Sequence, residues 1–124
     1  QFLPKEEKLS MDVKGRDMVS GLPRTITVNS DDVTEALQNE LQSLIAAVKS
    51  VLYQTPPELS ADIMDKGMVL SGGTSLLRNM DKLLSQATGV SAYVADESLL
   101  CVARGTGIAL ENLESYKRSI LSAK

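Results

Sequence analysis

In the stretch GMVLSGGTSLLRNM, residues 67–80, a short apolar run gives way to Ser71, Gly72, Gly73 and Thr74 before an apolar rhythm of helical period resumes. Two adjacent residues without Cβ at the exit of a strand let a ligand come close to the backbone. The free N–H groups and positive dipole end of a following helix would favour an anion or the polar edge of a heterocycle at the same place. In open α/β sheets, ligands sit outside the carboxyl ends of strands, so position and chemistry agree. The plainer reading of the same residues is a tight strand-to-helix turn. No Lys stands where a Walker loop needs one, and the spacing is not GxGxxG, so neither of those fingerprints applies.

Other residue types narrow the chemistry. With no His and a single Cys101, the usual zinc sites, His-based triads and an intrachain disulfide cannot be built. Cys101 is expected to pack rather than to act as a nucleophile. Asp62, Asp65 and Asp81 fall on helical segments and read as solvated acids, not as a metal cluster. Met64, Met68 and Met80 read as core filler. The 13 basic and 16 acidic residues give a net charge of −3 with no block of one sign, which argues against a nucleic-acid surface. No run approaches the roughly 20 apolar residues that span a bilayer. The opening QFLPKEEKLS carries no signal-peptide core and no initiator Met, so the expectation is a cytoplasmic chain that begins within a longer protein.

These residues need elements to position them. A length of 124 residues suits one domain or part of a larger one, and 43% hydrophobic against 3% aromatic content calls for an aliphatic core. From Lys8 to Ser30, Leu9, Met11 and Val13 alternate with polar residues, and Thr25–Val28 are strong β formers. SGLP at 20–23 breaks the run, so a hairpin with a long or bulged connection is expected. Val33, Leu37, Leu41, Leu44, Ile45, Val48, Val51 and Leu52 recur at three and four residues and predict a helix with one core-facing stripe, capped by Ser30 and stopped by Pro56 and Pro57. Thr55 and Glu58 have capping-box spacing for a second short helix that Gly67 terminates. Met68–Leu70 then reads as a short buried strand, and Leu76, Leu77, Met80, Leu83 and Leu84 as a helix ended by Gly89. Val90–Ala95 reads as a second strand and 98–120 as a last helix. On that helix Tyr116 and Ile120 share a face, with Lys117, Arg118 and Lys124 suiting its negative end. The fold class is α/β, short buried strands flanked by helices, with the hairpin as an appendage.

GMVLSGGTSLLRNMDKLL resembles the adenosine motif of the actin, sugar-kinase and Hsp70 superfamily. KGRD at 14–17, GLPRTITVNS at 21–30, TPPELSADIMDKG at 55–67 and CVARGTGIALENL at 101–113 together resemble the MreB family, the bacterial actins, in the same order and at similar separations. The likeness is nearest to the MreB-like paralogues of Gram-positive bacteria. It implies an actin-like, ribonuclease H-like half-domain. Residues 1–30 would belong to the outer small subdomain of the second lobe, 31–96 to the core of that lobe with the adenosine motif, and 97–124 to a helix between lobes. Gly105 and Gly107 would let helices pass closely at the hinge.

By the same resemblance Gly72, Gly73, Thr74 and Ser75 would lie against bound ATP, with Leu76 at the adenine. Thr74 and Ser75 replace the third glycine and the alanine usual in the family, which is nearer the actin form. No DxGxxT-type phosphate loop and no second phosphate loop occur in these residues. ATP with Mg2+ is therefore expected in a longer parent protein, and weak or absent binding in this chain alone. The parent would be a cytoskeletal ATPase that polymerises at the inner face of the membrane and directs cell-wall (peptidoglycan) synthesis and rod shape. Its partners would be further copies of itself, the wall-synthesis machinery and, through the missing lobe, the membrane. A sugar or carboxylate kinase of the same superfamily, or a free-standing binding module, are the alternatives.

Overall fold

A computed structural model describes residues 8–121, with side chains as far as Lys117. Strand β1 (Ser10–Arg16) pairs antiparallel with β2 (Pro23–Asn29), the hairpin that the alternation predicts. Met11 stands opposite Val28 and Val13 opposite Ile26, so these four share one face. At another paired position Thr27 Oγ1 donates to Asp12 Oδ1 at 2.7 Å. The connection runs from Asp17 to Leu22 and is organised by one carboxylate. Asp17 Oδ1 accepts from the N–H of Val19 at 2.8 Å and of Ser20 at 3.0 Å, and Oδ2 accepts from Arg24 Nη1 at 3.1 Å. Those backbone donors, and then Arg24, hold the Asp17 carboxyl below the usual carboxylate range.

Strand β2 runs straight into helix α1 (Ser30–Gln54). Asn29, not the expected Ser30, is the cap. Its Oδ1 accepts from the N–H of Asp31 at 2.9 Å and Asp32 at 3.0 Å, while Asp32 Oδ2 accepts from Asn29 N–H at 3.0 Å. Ser30 N–H is still held by the hairpin through Leu9 O at 2.8 Å, which places the strand-to-helix switch one residue earlier. Replacing Asn29 with Ala removes this reciprocal box and is expected to cost about 1–2 kcal/mol. The measure is a lower urea midpoint at unchanged slope, with Asn29→Ser retaining most of the stability. Along α1, Leu37, Leu41, Ile45, Val48 and Leu52 are half-buried, whereas Val33, Leu44 and Val51 are exposed and no residue is buried. The stripe is thus narrower than the expected core face, and β2, which leads into the helix, is the element most in contact with it.

Pro57 opens helix α2 (Pro57–Lys66), where a missing N–H costs nothing. The Thr55 hydroxyl serves the preceding helix rather than this one, donating to Val51 O at 2.7 Å. The chain divides within α2 into two compact units, residues 1–60 and 61–124.

In the second unit Gly67 ends α2 in the left-handed region, φ +80, with its N–H on Ile63 O at 2.8 Å. Strands β3 (Met68–Leu70) and β4 (Ala92–Val94) pair in parallel, Met68 with Ala92 through Leu70 with Val94. Helix α3 (Met80–Thr88) supplies the crossover that parallel pairing requires. The expected continuous helix after the glycines is interrupted. A single 3-10 turn, Gly73–Leu76, is followed by extended Leu77 and by Asn79 at φ 62, a conformation that Asn tolerates. Met80, Leu84 and Val90 form the buried apolar core among the described residues. Ser85 Oγ donates to Asp81 O and accepts from Ala92 N–H, each at 2.8 Å, which ties α3 to β4. Gly89 closes α3 at φ +76, as expected.

The two strands are half-buried rather than buried, because the face carrying Val69 and Tyr93, paired in register, is open. Of the three methionines read as core filler only Met80 is buried. Met68 is half-buried, and Met64 lies on the solvent side of α2. The expected last helix is two helices, α4 (Cys101–Glu111) and α5 (Leu113–Leu121). They separate at Asn112, whose Nδ2 donates to Ile108 O at 3.0 Å and so competes with the backbone for the end of α4. Ahead of α4, residues 96–100 form a turn with Glu97 at φ 49. The readings made for the side chains of Arg118, Ile120 and Lys124 lie outside the described residues.

Candidate functional site

The glycine pair leaves β3 at its carboxyl end, where the sequence places it. Gly72 has φ 86 and ψ 174, a region essentially closed to residues with a Cβ. A Cβ built there would meet nothing within 4 Å, so the bare backbone of Gly72 faces open space. The Gly72 N–H is committed, donating to Ser98 O at 2.8 Å. Gly73 and Thr74 open the 3-10 turn and are exposed. Ser75 is buried, and its hydroxyl donates to Gly72 O at 2.7 Å, locking the turn that shapes the glycines. Leu76 is exposed at the end of the turn.

The dipole of α3 does not serve these residues as the spacing suggested, since α3 begins only at Met80. A second turn completes the site instead. Residues 96–100, between β4 and α4, carry Ser98 and Leu99 to the glycines. Leu100 N–H donates to Glu97 O at 2.7 Å, and Glu97 is ion-paired with Arg104 of α4. Ser98 is buried, and its Oγ has no hydrogen-bond partner. That Oγ is enclosed by the protein, and the link from Ser98 to Gly72 runs through the Ser98 backbone carbonyl. No local spacing marks Ser98 or Leu99 as site residues, because the pairing that brings them to Gly72 is long-range.

An adenosine end fits the backbone of this turn, where the Cβ-free side of Gly72 faces open space and Leu76 and Leu99 are exposed apolar residues on the two turns. For the metal there is no comparable donor set. Among the described residues no group of three or more His, Cys, Asp or Glu could hold an ion, and Asp62 and Asp65 are exposed. Cys101 is half-buried with its Sγ near Asp96 O and Glu97 O, both at 3.8 Å. Gly105 and Gly107 lie within α4 with open space where their Cβ atoms would be. No helix among the described residues is long and apolar enough to cross a membrane.

The family model described as MreB/Mbl protein matches residues 1–118. The cell shape-determining protein Mbl of Bacillus subtilis is 50% identical over 110 residues, covering 89% of this chain and 33% of that protein. The cell shape-determining protein MreB of Escherichia coli is 45% identical over 119 residues, covering 96% of this chain and 34% of that protein. The chain thus spans about a third of the length of the curated relatives it matches. Among solved structures, MreB5 of Spiroplasma citri bound to AMPPNP superposes with a TM-score of 0.83 at 33% identity, covering 95% of this chain and 35% of that one. Its ADP-bound form gives the same TM-score at 34% identity, covering 98% of this chain and 36% of that one. The actin-like α/β fold with an opening antiparallel hairpin is therefore borne out.

Proposed function

This chain belongs to the MreB/Mbl family, and from that membership we propose that it is the carboxyl-terminal part of a cell shape-determining, actin-like ATPase. The whole protein binds ATP with Mg2+ between two lobes, polymerises into filaments at the inner face of the membrane, and directs cell-wall synthesis. Nucleotide acts as a switch, because a ligand that contacts both lobes favours the closed state over the open one. Residues 72–76, with the turn at 96–100, supply the adenosine half of that site, and the phosphate grip comes from sequence outside this chain.

The observation that carries this reading is the open, Cβ-free backbone of Gly72 at the carboxyl end of β3, in a chain matched by the family model over residues 1–118. The uncovered Val69–Tyr93 face adds support, since parallel sheets are normally covered on both faces and a larger domain would cover this one. Electron microscopy of the full-length protein is expected to show filaments with Mg2+-ATP. Absence of ATP-dependent assembly would overturn the reading. Calorimetric titration of the 124-residue chain alone is expected to give weak or undetectable ATP binding, because an adenosine half-site has few polar anchors. Micromolar affinity would show that the phosphate grip is not needed.

A further inference from the structure

The connection of the opening hairpin, residues 17–22, carries its apolar side chains outward. Met18 is 92% exposed, Val19 99% and Leu22 66%, and an apolar tip of this kind marks an interaction surface. An open cleft of about 370 Å³, lined in part by Val13, Met18, Val19, Arg24 and Ile26, continues it onto the sheet face. The loop closes its backbone hydrogen bonds on itself. The N–H groups of Val19 and Ser20 donate to Asp17 Oδ1, that of Gly21 to Asp17 O at 2.9 Å, that of Asp17 to Leu22 O at 2.9 Å, and that of Leu22 to Ser20 Oγ at 3.4 Å. The Asp17 charge is itself paired with Arg24. Such a loop leaves water without stranding those donors, which is the condition for entering a medium that offers no hydrogen bonds. Cations stand behind the tip. The hairpin bears Lys8, Lys14, Arg16 and Arg24 against Asp12 and Asp17, a surplus of two positive charges in a chain of net charge −3. Arg16 and Lys14 lie one and three residues before Asp17, about 3–10 Å back along β1.

We propose that residues 17–22 are a membrane-contact loop: Met18, Val19 and Leu22 enter the interfacial region of an anionic bilayer, and Lys14 and Arg16 meet its headgroups. This rests on the proposed location of the whole protein at a membrane face, and it adds a contact made by this chain. Apolar surface elements sink roughly 5–10 Å into the boundary between headgroups and acyl chains, so the two cations come level with the headgroups. Asp17 makes the insertion feasible, because its carboxylate takes up two N–H groups and neutralises Arg24. A second copy of the protein is the other surface that would cover such a tip. An apolar summit with its donors satisfied and cations ranked behind it matches the layering of a lipid surface better than a protein pocket, which supplies hydrogen-bond partners of its own.

The test is vesicle binding by the full-length protein, with mixed phosphatidylglycerol–phosphatidylcholine vesicles as the probe and phosphatidylcholine alone as the reference. This chain contains no Trp, so Met18→Trp adds a reporter at the tip and Tyr53→Trp one at a position equally exposed, 92%, at the end of α1. On anionic vesicles the added emission of Met18→Trp is expected to shift to the blue and to be quenched by brominated acyl chains, and that of Tyr53→Trp to do neither. Met18→Ser combined with Val19→Ser should weaken binding about tenfold or more. Lys14→Gln and Arg16→Gln should each weaken it about fivefold, and less at high salt. An unquenched Trp at position 18 on vesicles that the protein does bind would overturn the assignment and leave the membrane-side location standing. A blue shift at position 18 on assembly with Mg2+-ATP in the absence of vesicles would give the tip to a second copy and overturn it likewise. Failure of the unaltered protein to bind either kind of vesicle would overturn both.

Discussion

Replacing Gly67 with Ala is expected to destabilise the unit of residues 61–124 by about 2–3 kcal/mol, a large share of what holds a unit of this size together. Two separate penalties meet at this position. The backbone stands at φ +80, which costs a residue with a Cβ about 1–2 kcal/mol. The new Cβ would also lie 2.6 Å from Ser91 O, a distance that forces something to move. Ser91 O is a backbone atom, already accepting from Met68 N–H at 2.7 Å at the start of the β3–β4 pairing. Relieving the clash therefore pulls apart the first bond of that pairing, and losing such a bond costs about 0.5–1.5 kcal/mol. Gly89→Ala is the control. Its φ is +76 but nothing lies within 4 Å of its built Cβ, so it should lose only the backbone term, about 1 kcal/mol. Equal urea midpoints for the two variants would refute the clash.

What could be read from the sequence, and what could not, divides along local against long-range physics. The hairpin, the long helix and the glycine terminators at 67 and 89 follow from alternation, helical spacing and the conformational freedom of glycine, all within a few residues. The cap of α1 was displaced from Ser30 to Asn29 by a hydrogen bond from Ser30 N–H to Leu9 O, about which local propensity says nothing. Leu76, Leu77 and Met80 fit a continuous helix as well as they fit a 3-10 turn and a break, and only the left-handed Asn79 separates the two. The strands were read as buried from their apolar residues, but cover for Val69 and Tyr93 depends on what else packs on the sheet.

At the site, residue types alone marked Gly72 and Gly73, and the likeness to the MreB family gave them a ligand. The different surroundings of the two glycines stayed hidden, because Ser98 and Leu99 arrive from a turn some 25 residues downstream. The assumption that the helix dipole points at the glycines failed for the same reason as the helix boundary: the chain first makes a short turn that Ser75 locks.

The second large effect is Leu84→Ala, expected to cost about 3 kcal/mol. Leu84 is 3% exposed, and it shares the buried apolar core of its unit with Met80 and Val90. With so few buried apolar side chains among the described residues, the remaining ones have little room to close the space an Ala would leave. Leu84→Met nearly conserves volume and should lose less than about 1.5 kcal/mol. Val102→Ala, at a position 77% exposed, should change stability by no more than about 0.5 kcal/mol. The consequence reaches the candidate site through connectivity. Helix α3 is bonded to β4 by Ser85, and the turn that leaves β4 accepts the Gly72 N–H. If the site opens when the unit opens, a 3 kcal/mol loss raises amide exchange at Gly72 and Ala92 together by about a hundredfold, since each 1.36 kcal/mol is about tenfold. Faster exchange at Ala92 with Gly72 unchanged would show instead that the glycine turn is held independently of the core beneath it.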